Sequence, residues 1–242
     1  MLIFGINPVI EALRARRVAR LRIADRGGPR IGEVVALASA QGVDVQQVSR
    51  AILDHAAHGG AHQGVVAELI QARDWTPADL VREANPPALI VVLDGIEDPQ
   101  NVGAILRTAD AVGAHGVIRQ SRHAAALGGA AAKASAGAIA HVRIAEVVNI
   151  ARAVEELKAA DVWTVGLASD GDKLYSALDL TLPTAIVLGA EGTGLRRLVR
   201  DRCDWLASIP MLGHVESLNV SVAAGVMLFE ALRQRRAASA RD

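Results

Sequence analysis

The run A-L-I-V-V-L, residues 88–93, continues as D-G-I-E-D-P-Q-N-V-G-A-I-L-R-T-A-D, residues 94–110. An unbroken apolar run, without alternation, describes a strand covered on both faces, as in a parallel sheet. The polar loop after it leads into a helix over 102–112 that Gly113 ends. Ile105, Ala109 and Val112 form its buried stripe by i, i+4, i+7 spacing. Strand and helix then keep alternating: strands over 117–118, 163–167, 184–188 and 205–209, helices over 147–160, 195–202 and 221–236. The Ala- and Gly-rich stretch 124–140 reads as one weak helix plus turns. Such alternation predicts an α/β fold with a mostly parallel C-terminal sheet.

Residues 1–72 read differently, as a small α+β segment. Asn7-Pro8 opens a helix to about Arg17, with Pro8 suited to the first turn. A second helix over 31–41 closes at Gly42, and strands are expected over 21–24, 43–48 and 64–70. Over 73–87 the pattern lapses. D-W-T-P-A-D-L can cap one short helix, and Asn85-Pro86-Pro87 stops it. Domains are therefore expected at 1–72 and 88–242, joined by a linker at 73–87.

Composition narrows the function classes. The 242 residues are 51% hydrophobic but only 2% aromatic, so the core is built from Ala, Val, Leu and Ile, and a base-stacking platform is disfavoured. Formal net charge is zero, which excludes a global polycation and leaves a local patch for any nucleic-acid contact. Cys203 is the single cysteine, so no internal disulfide or cysteine metal cluster is possible, and a core thiol is expected. No stretch reaches about 18 uninterrupted apolar residues, and the N-terminus lacks a signal peptide's basic lead. No membrane partner and a cytoplasmic location are expected. His55, His58 and His62 have ligand-like spacing, but the two glycines among them and the want of a cysteine partner speak for a loop with ordinary histidines, and no metal site is expected.

In open parallel sheets ligands collect at the carboxyl ends of strands, and three such ends carry unusual polar content. In the loop after 88–93, Asn101 sits where a helix cap belongs. Arg107 stands about 200° from Ile105 on the helical wheel, facing away from the buried stripe; the plainer reading pairs it with Asp110. The second end, L-G-A-E-G-T-G-L (188–195), brings three glycines whose backbone can approach a ligand closely. It is no Walker loop, and its G-x-x-G-x-G order is a poor dinucleotide fingerprint. Glu191 repels a pyrophosphate and suits a cationic ligand better. The third end is I-P-M-L-G-H-V-E-S-L-N-V-S-V-A-A-G (209–225). There Ser217, Asn219 and Ser221 alternate with Leu218, Val220 and Val222, more polarity than capping one helix requires.

Together N-V-G-A-I-L-R-T-A-D-A-V-G-A, G-A-E-G-T-G-L and the 209–225 segment resemble the three motifs of the SpoU (TrmH-like) family of RNA ribose 2′-O-methyltransferases. F-G-I-N-P-V-I-E-A-L and Ala61-His62-Gln63-Gly64 resemble the front of the branch acting on guanosine in 23S rRNA. The resemblance implies S-adenosyl-L-methionine as cofactor, a trefoil-knotted (SPOUT-like) C-terminal region, an L30e-like N-terminal domain and a homodimer. It implies cofactor contacts at Gly189, Gly192, Ile209, Met211 and Leu218. Asn101, Arg107, Glu191, Ser217 and Asn219 take the family's catalytic and substrate-positioning places, with Arg107 beside the 2′-hydroxyl. A guanidinium keeps its proton, so Arg107 suits a phosphate clamp better than a base.

RNA contact is expected of the N-terminal domain through Arg14, Arg16, Arg17, Arg20 and Arg22, with Arg26 and Arg30 beyond them. Only Asp25 answers these cations within their own span; a merely solvated charged face is the competing reading. Three rivals remain: a non-catalytic RNA-binding protein of the same fold, a methyltransferase acting on tRNA or on an rRNA adenosine, and a nicotinamide dehydrogenase. The last fails on glycine order and on the missing acidic residue after a first βα turn.

Overall fold

The computed structural model describes residues 1–25, 29–70 and 73–240. In chain order, β1 (Leu2–Phe4), α1 (Ile6–Arg14), β2 (Val18–Ala24), α2 (Pro29–Ala40), β3 (Asp44–Val48), α3 (Arg50–Ala56) and β4 (Val65–Leu69) come first. They are followed by α4 (Pro77–Arg82), β5 (Leu89–Asp94), α5 (Pro99–Ala111), β6 (Gly116–Gln120), α6 (Gly129–Ala134), β7 (Ile144–Val147) and α7 (Ile150–Ala159). The chain closes with β8 (Trp163–Leu167), β9 (Lys173–Leu174), β10 (Thr184–Gly189), α8 (Arg197–Arg200), β11 (Trp205–Ser208) and α9 (Val220–Ser239). Two compact units form. The first joins Met1–Arg73 with Pro99–Arg107 and Ala125–His141; the second holds Asp74–Asp98, Thr108–Ala124 and Val142–Asp242.

The first unit contains, among the described residues, a four-stranded sheet in the order β1-β4-β2-β3. β4 runs antiparallel to β1 and β2, and β3 runs parallel to β2. Period-two alternation on β2 buries Leu21 and Ile23 and turns Arg20 outward. α1 buries Val9, Ile10, Ala12 and Leu13, the apolar stripe of an amphipathic helix. Phe4, Leu53, Ala57 and Val66 make a second small cluster beneath α3. Within the same unit α5 and α6 pack so closely that a Cβ on Gly103 would sit 2.5 Å from the Ala131 carbonyl oxygen.

The second unit is built on a seven-stranded sheet, β7-β6-β5-β10-β8-β11-β9, parallel at every pairing. All six residues of β5 and of β10 are buried, as the unbroken apolar runs require of a doubly covered strand. Ile90, Val92, Ile118, Val154, Leu157 and Val187 meet in its core. Arg235 of α9 is half-buried and donates to the carbonyls of Pro87, Ala88, Leu180 and Leu182, tying that helix beside the start of β5.

The α/β class and the parallel sheet stand as expected, with most element bounds within about one helical turn. Some elements had no reading in the sequence. β1, β7 and β9 are edge strands, and β9 consists of two exposed residues. α3 falls where a histidine-bearing loop was expected. The short helix that D-W-T-P-A-D-L was expected to cap within the linker stretch is present as α4, whose Thr76 and Asp79 form a reciprocal capping box. Asn101 is not a cap: α5 starts two residues earlier at Pro99, because a proline lacks the N–H that a first helical turn leaves unpaired anyway.

Candidate functional site

The carboxyl ends of β8, β10 and β11 face a cavity of about 400 Å³, within the about 300–1,000 Å³ typical of small-ligand sites. Its wall draws on separate stretches of chain: Leu188–Gly192 and Gly194 at and after the end of β10, Ile209 and Met211 after β11, and Glu216–Val220 at the start of α9. Gly189, Glu191, Gly192, Ile209, Met211, Ser217, Leu218 and Asn219, all singled out in the sequence, therefore line one cavity.

The glycine loop is folded tightly. Ala190 and Gly194 exchange backbone hydrogen bonds of 3.0 and 2.8 Å, and Gly192 and Gly194 sit at φ +78° and +67°. A Cβ on Gly189 would lie 2.2 Å from the Gly194 carbonyl carbon, so only glycine fits where the loop doubles back. Its exit is held by Asp94 at the end of β5. That carboxylate is fully buried and accepts from the Arg196 backbone N–H at 2.9 Å and from Arg196 Nε at 2.7 Å. Sequence reading passed over both residues. The available signal was a carboxylate ending an otherwise apolar strand, a placement that demands a partner once buried.

Asn219 is the N-cap of α9: its Oδ1 accepts from the Ser221 N–H at 2.9 Å and the Ser221 hydroxyl at 2.6 Å. Capping thus occupies two of the three polar residues in that segment, while Ser217 stands outside the cap and lines the cavity. Glu191 is joined there by Glu216, giving the cavity two carboxylates and no lysine or arginine in its lining. The arrangement suits an organic cation with an apolar part and disfavours a phosphate.

Asn101 and Arg107 lie on α5 in the first unit, Asn101 buried and Arg107 exposed. The pairing of Arg107 with Asp110 is not made. In the arginine run the fold brings carboxylates from outside the span to Arg14 and Arg20. Arg14 pairs with Glu11 at 2.7 Å, and Arg20 lies 3.7 Å from Asp44 and 3.9 Å from Glu68. Arg26 lies outside the described residues. Among those described, no group of three or more His, Cys, Asp or Glu is placed to hold a metal. His62 does have a carboxylate partner, Asp54 at 2.9 Å, which α3 carries to it. Cys203 is partly buried against the sheet core rather than within it, and burial pushes its thiol pKa up to about 12.

A parallel α/β sheet with a cavity of this lining at its strand ends defines a protein that binds a small, cationic organic ligand. The profile of the SpoU rRNA Methylase family matches residues 88–229, and that of RNA 2′-O ribose methyltransferase substrate binding matches residues 2–75. The chain belongs to the SpoU rRNA methylase family. It is 45% identical over 241 residues to the 23S rRNA (guanosine-2′-O-)-methyltransferase RlmB of Pseudomonas syringae, covering 97% of this chain and 96% of that protein. The RlmB of Yersinia pestis is 42% identical, with 97% of each chain covered. Among solved structures, the SpoU methyltransferase AviRb from Streptomyces viridochromogenes, in complex with the cofactor AdoMet, superposes with a TM-score of 0.83 at 28% identity, covering 98% of this chain and 90% of that one.

Proposed function

We propose that this chain transfers the methyl group of S-adenosyl-L-methionine to a ribose 2′-hydroxyl of RNA, at a guanosine of 23S rRNA. The observation that carries this reading is the gathering of the glycine loop, the segment after β11 and the Glu216–Val220 stretch around one cavity. The residues fit the methyl donor. Its sulfonium and ammonium are cations, matched by Glu191 and Glu216, and Leu167, Ala207, Met211 and Leu218 offer apolar contact to an adenine. Bound there, S-adenosyl-L-methionine supplies a methyl carbon activated by a sulfonium leaving group. The relatives named 23S rRNA guanosine methyltransferases, aligned over nearly the whole chain, favour that RNA over tRNA or an rRNA adenosine.

In this account Gly189, Gly192, Ile209, Met211 and Leu218 hold the donor. Arg107 binds the substrate phosphate and stabilises the charge that develops on the 2′-oxygen, while water or the phosphate takes the proton. Glu191, Ser217 and Asn219 position the ribose, and Asn101 takes a substrate-positioning place on α5. Residues 1–72 act as the RNA-binding domain, an L30e-like fold supported by the mixed four-stranded sheet and its helices. Residues 73–87 link it to the catalytic region, 88–242, with a trefoil knot formed by the chain around the β10 and β11 loops. A homodimer through α9 is supported by Val222 and Phe229, apolar and each 52% exposed. The proposed place of action is the cytoplasm; no helix among the described residues is long and apolar enough to cross a membrane.

The test is transfer of labelled methyl from the cofactor to 23S rRNA, with Arg107→Lys alongside. A lysine keeps the charge and loses the planar fork, so turnover is expected to fall at least about tenfold with cofactor affinity unchanged. Full turnover in the lysine variant contradicts the clamp. Binding of RNA without any methyl transfer by the native chain would favour the non-catalytic alternative.

A further inference from the structure

The Ala61-His62-Gln63-Gly64 segment borders a second cavity, of about 800 Å³, within the first unit. Its wall combines the 59–64 loop with Ala24 and Asp25 after β2, Ile31 of α2, and Arg50 and Asp54 of α3. The loop is pinned from both sides. His62 is buried, its Nδ1 accepts the Gly64 N–H at 3.0 Å and its Nε2 meets Asp54 Oδ1 at 2.9 Å, which fixes the proton on Nε2. Gln63 Oε1 accepts the Ile6 N–H at 2.9 Å, satisfying a backbone donor in the first turn of α1. His58 and Gln63 are held at φ +48° and +53°, uncommon for side-chain-bearing residues. Such over-determined loops make rigid walls, and strain of this kind clusters at ligand sites.

Beyond the Asp54–His62 pair, charge around this cavity is left open among the described residues. Asp25, Arg50 and the Asp54 Oδ2 have no hydrogen-bond or ion-pair partner among the described residues, unlike Arg14 and Arg20 on the arginine run. A free anion is opposed by two carboxylates, and a simple cation by the guanidinium. A nucleotide meets both. The N1–H and N2 amino group of guanine are adjacent donors that match a carboxylate, and a phosphate matches the Arg50 fork. Adenine offers an acceptor at N1 where that carboxylate needs a donor. RNA presents such base edges where it is single-stranded.

We propose that this cavity binds an unstacked guanine nucleotide of the RNA substrate, with Asp25 and Asp54 reading the base edge and Arg50 holding a phosphate. This rests on the RNA-methylating reading above and locates where the first unit grips its substrate.

The test titrates the full chain with labelled RNA hairpins whose single-stranded loop carries one guanosine, with adenosine and inosine loops as comparisons. Inosine lacks the N2 amino group. The native chain is expected to prefer guanosine by about tenfold, as a lost hydrogen bond to a charged group implies. Asp25→Asn should remove that preference, and Arg50→Gln should weaken all loops alike. A cofactor titration of each variant is the folding control. Equal affinity for the three loops, no binding to any of them, or native behaviour in both variants overturns the proposal. Free GMP displacing the hairpin at matched concentration assigns the cavity to a free nucleotide instead and overturns its placement on RNA. None of these readouts uses methyl transfer, so failure of the pocket and failure of the enzymatic reading remain separate.

Discussion

The glycine loop after β10 and the His62–Gln63 loop before β4 are both rigid, but by opposite means. After β10 the backbone holds itself: Ala190 and Gly194 pair, Gly189 leaves no room for a side chain, and Asp94 anchors Arg196. Before β4 side chains hold the backbone, His62 between Asp54 and Gly64 and Gln63 on the start of α1. A backbone-built cradle tolerates almost no substitution at its closest point. A side-chain-built one degrades by steps as single hydrogen bonds are lost.

Glycine replacements expose that difference most strongly. Gly189→Ala places a Cβ against backbone that cannot yield, so a stability loss of about 3 kcal/mol is expected by urea denaturation, with cofactor binding lost. Gly60→Ala meets the buried Phe4 ring at 2.5 Å and the Ala57 carbonyl oxygen at 3.0 Å; a side chain is the nearest obstacle rather than backbone, and about 1–2 kcal/mol is expected. Equal costs would erase the distinction.

The Asp94–Arg196 pair sharpens it further. Arg196→Ala leaves a fully buried carboxylate with only a backbone partner, costing about 3 kcal/mol by the same measurement. Asp94→Ala should cost less, because the Arg196 side chain is 52% exposed and returns to water. The reverse order contradicts the anchoring role. On the other loop, His62→Ala removes two hydrogen bonds and is expected to cost about 1–2 kcal/mol while cofactor affinity, read by calorimetry, stays unchanged.

Smaller effects separate capping from function in the 209–225 segment. Asn219→Ala should lower stability by about 1 kcal/mol, whereas Asn219→Asp keeps the cap. Loss of methyl transfer in the stable aspartate variant then reports a role beyond capping, and retained transfer denies it. The mildest expectation concerns Cys203. With its pKa raised to about 12, chiefly by burial, the thiol stays protonated at pH 8 and should resist a thiolate-selective reagent until the protein is unfolded.

How far these features could be read from sequence follows from what each depends on. β5, β8 and β10 were legible because burial on both faces leaves an apolar run, and the cavity residues because glycines and short polar side chains cluster after such runs. The edge strands β7 and β9 carry exposed residues and no such pattern. Tertiary contact alone decides that 99–107 and 125–141 group with the first unit, that Asp44 and Glu68 reach Arg20, and that Asp54 reaches His62. Asn101 was misplaced as a cap because Pro99, a helix starter, was read as part of the loop.

The central claim is methyl transfer to a ribose of 23S rRNA, and nucleoside mass spectrometry of that RNA, incubated with the chain and labelled S-adenosyl-L-methionine, tests it most directly. Label is expected in a single 2′-O-methylguanosine. Label on a base, on an adenosine ribose or nowhere in the RNA contradicts it.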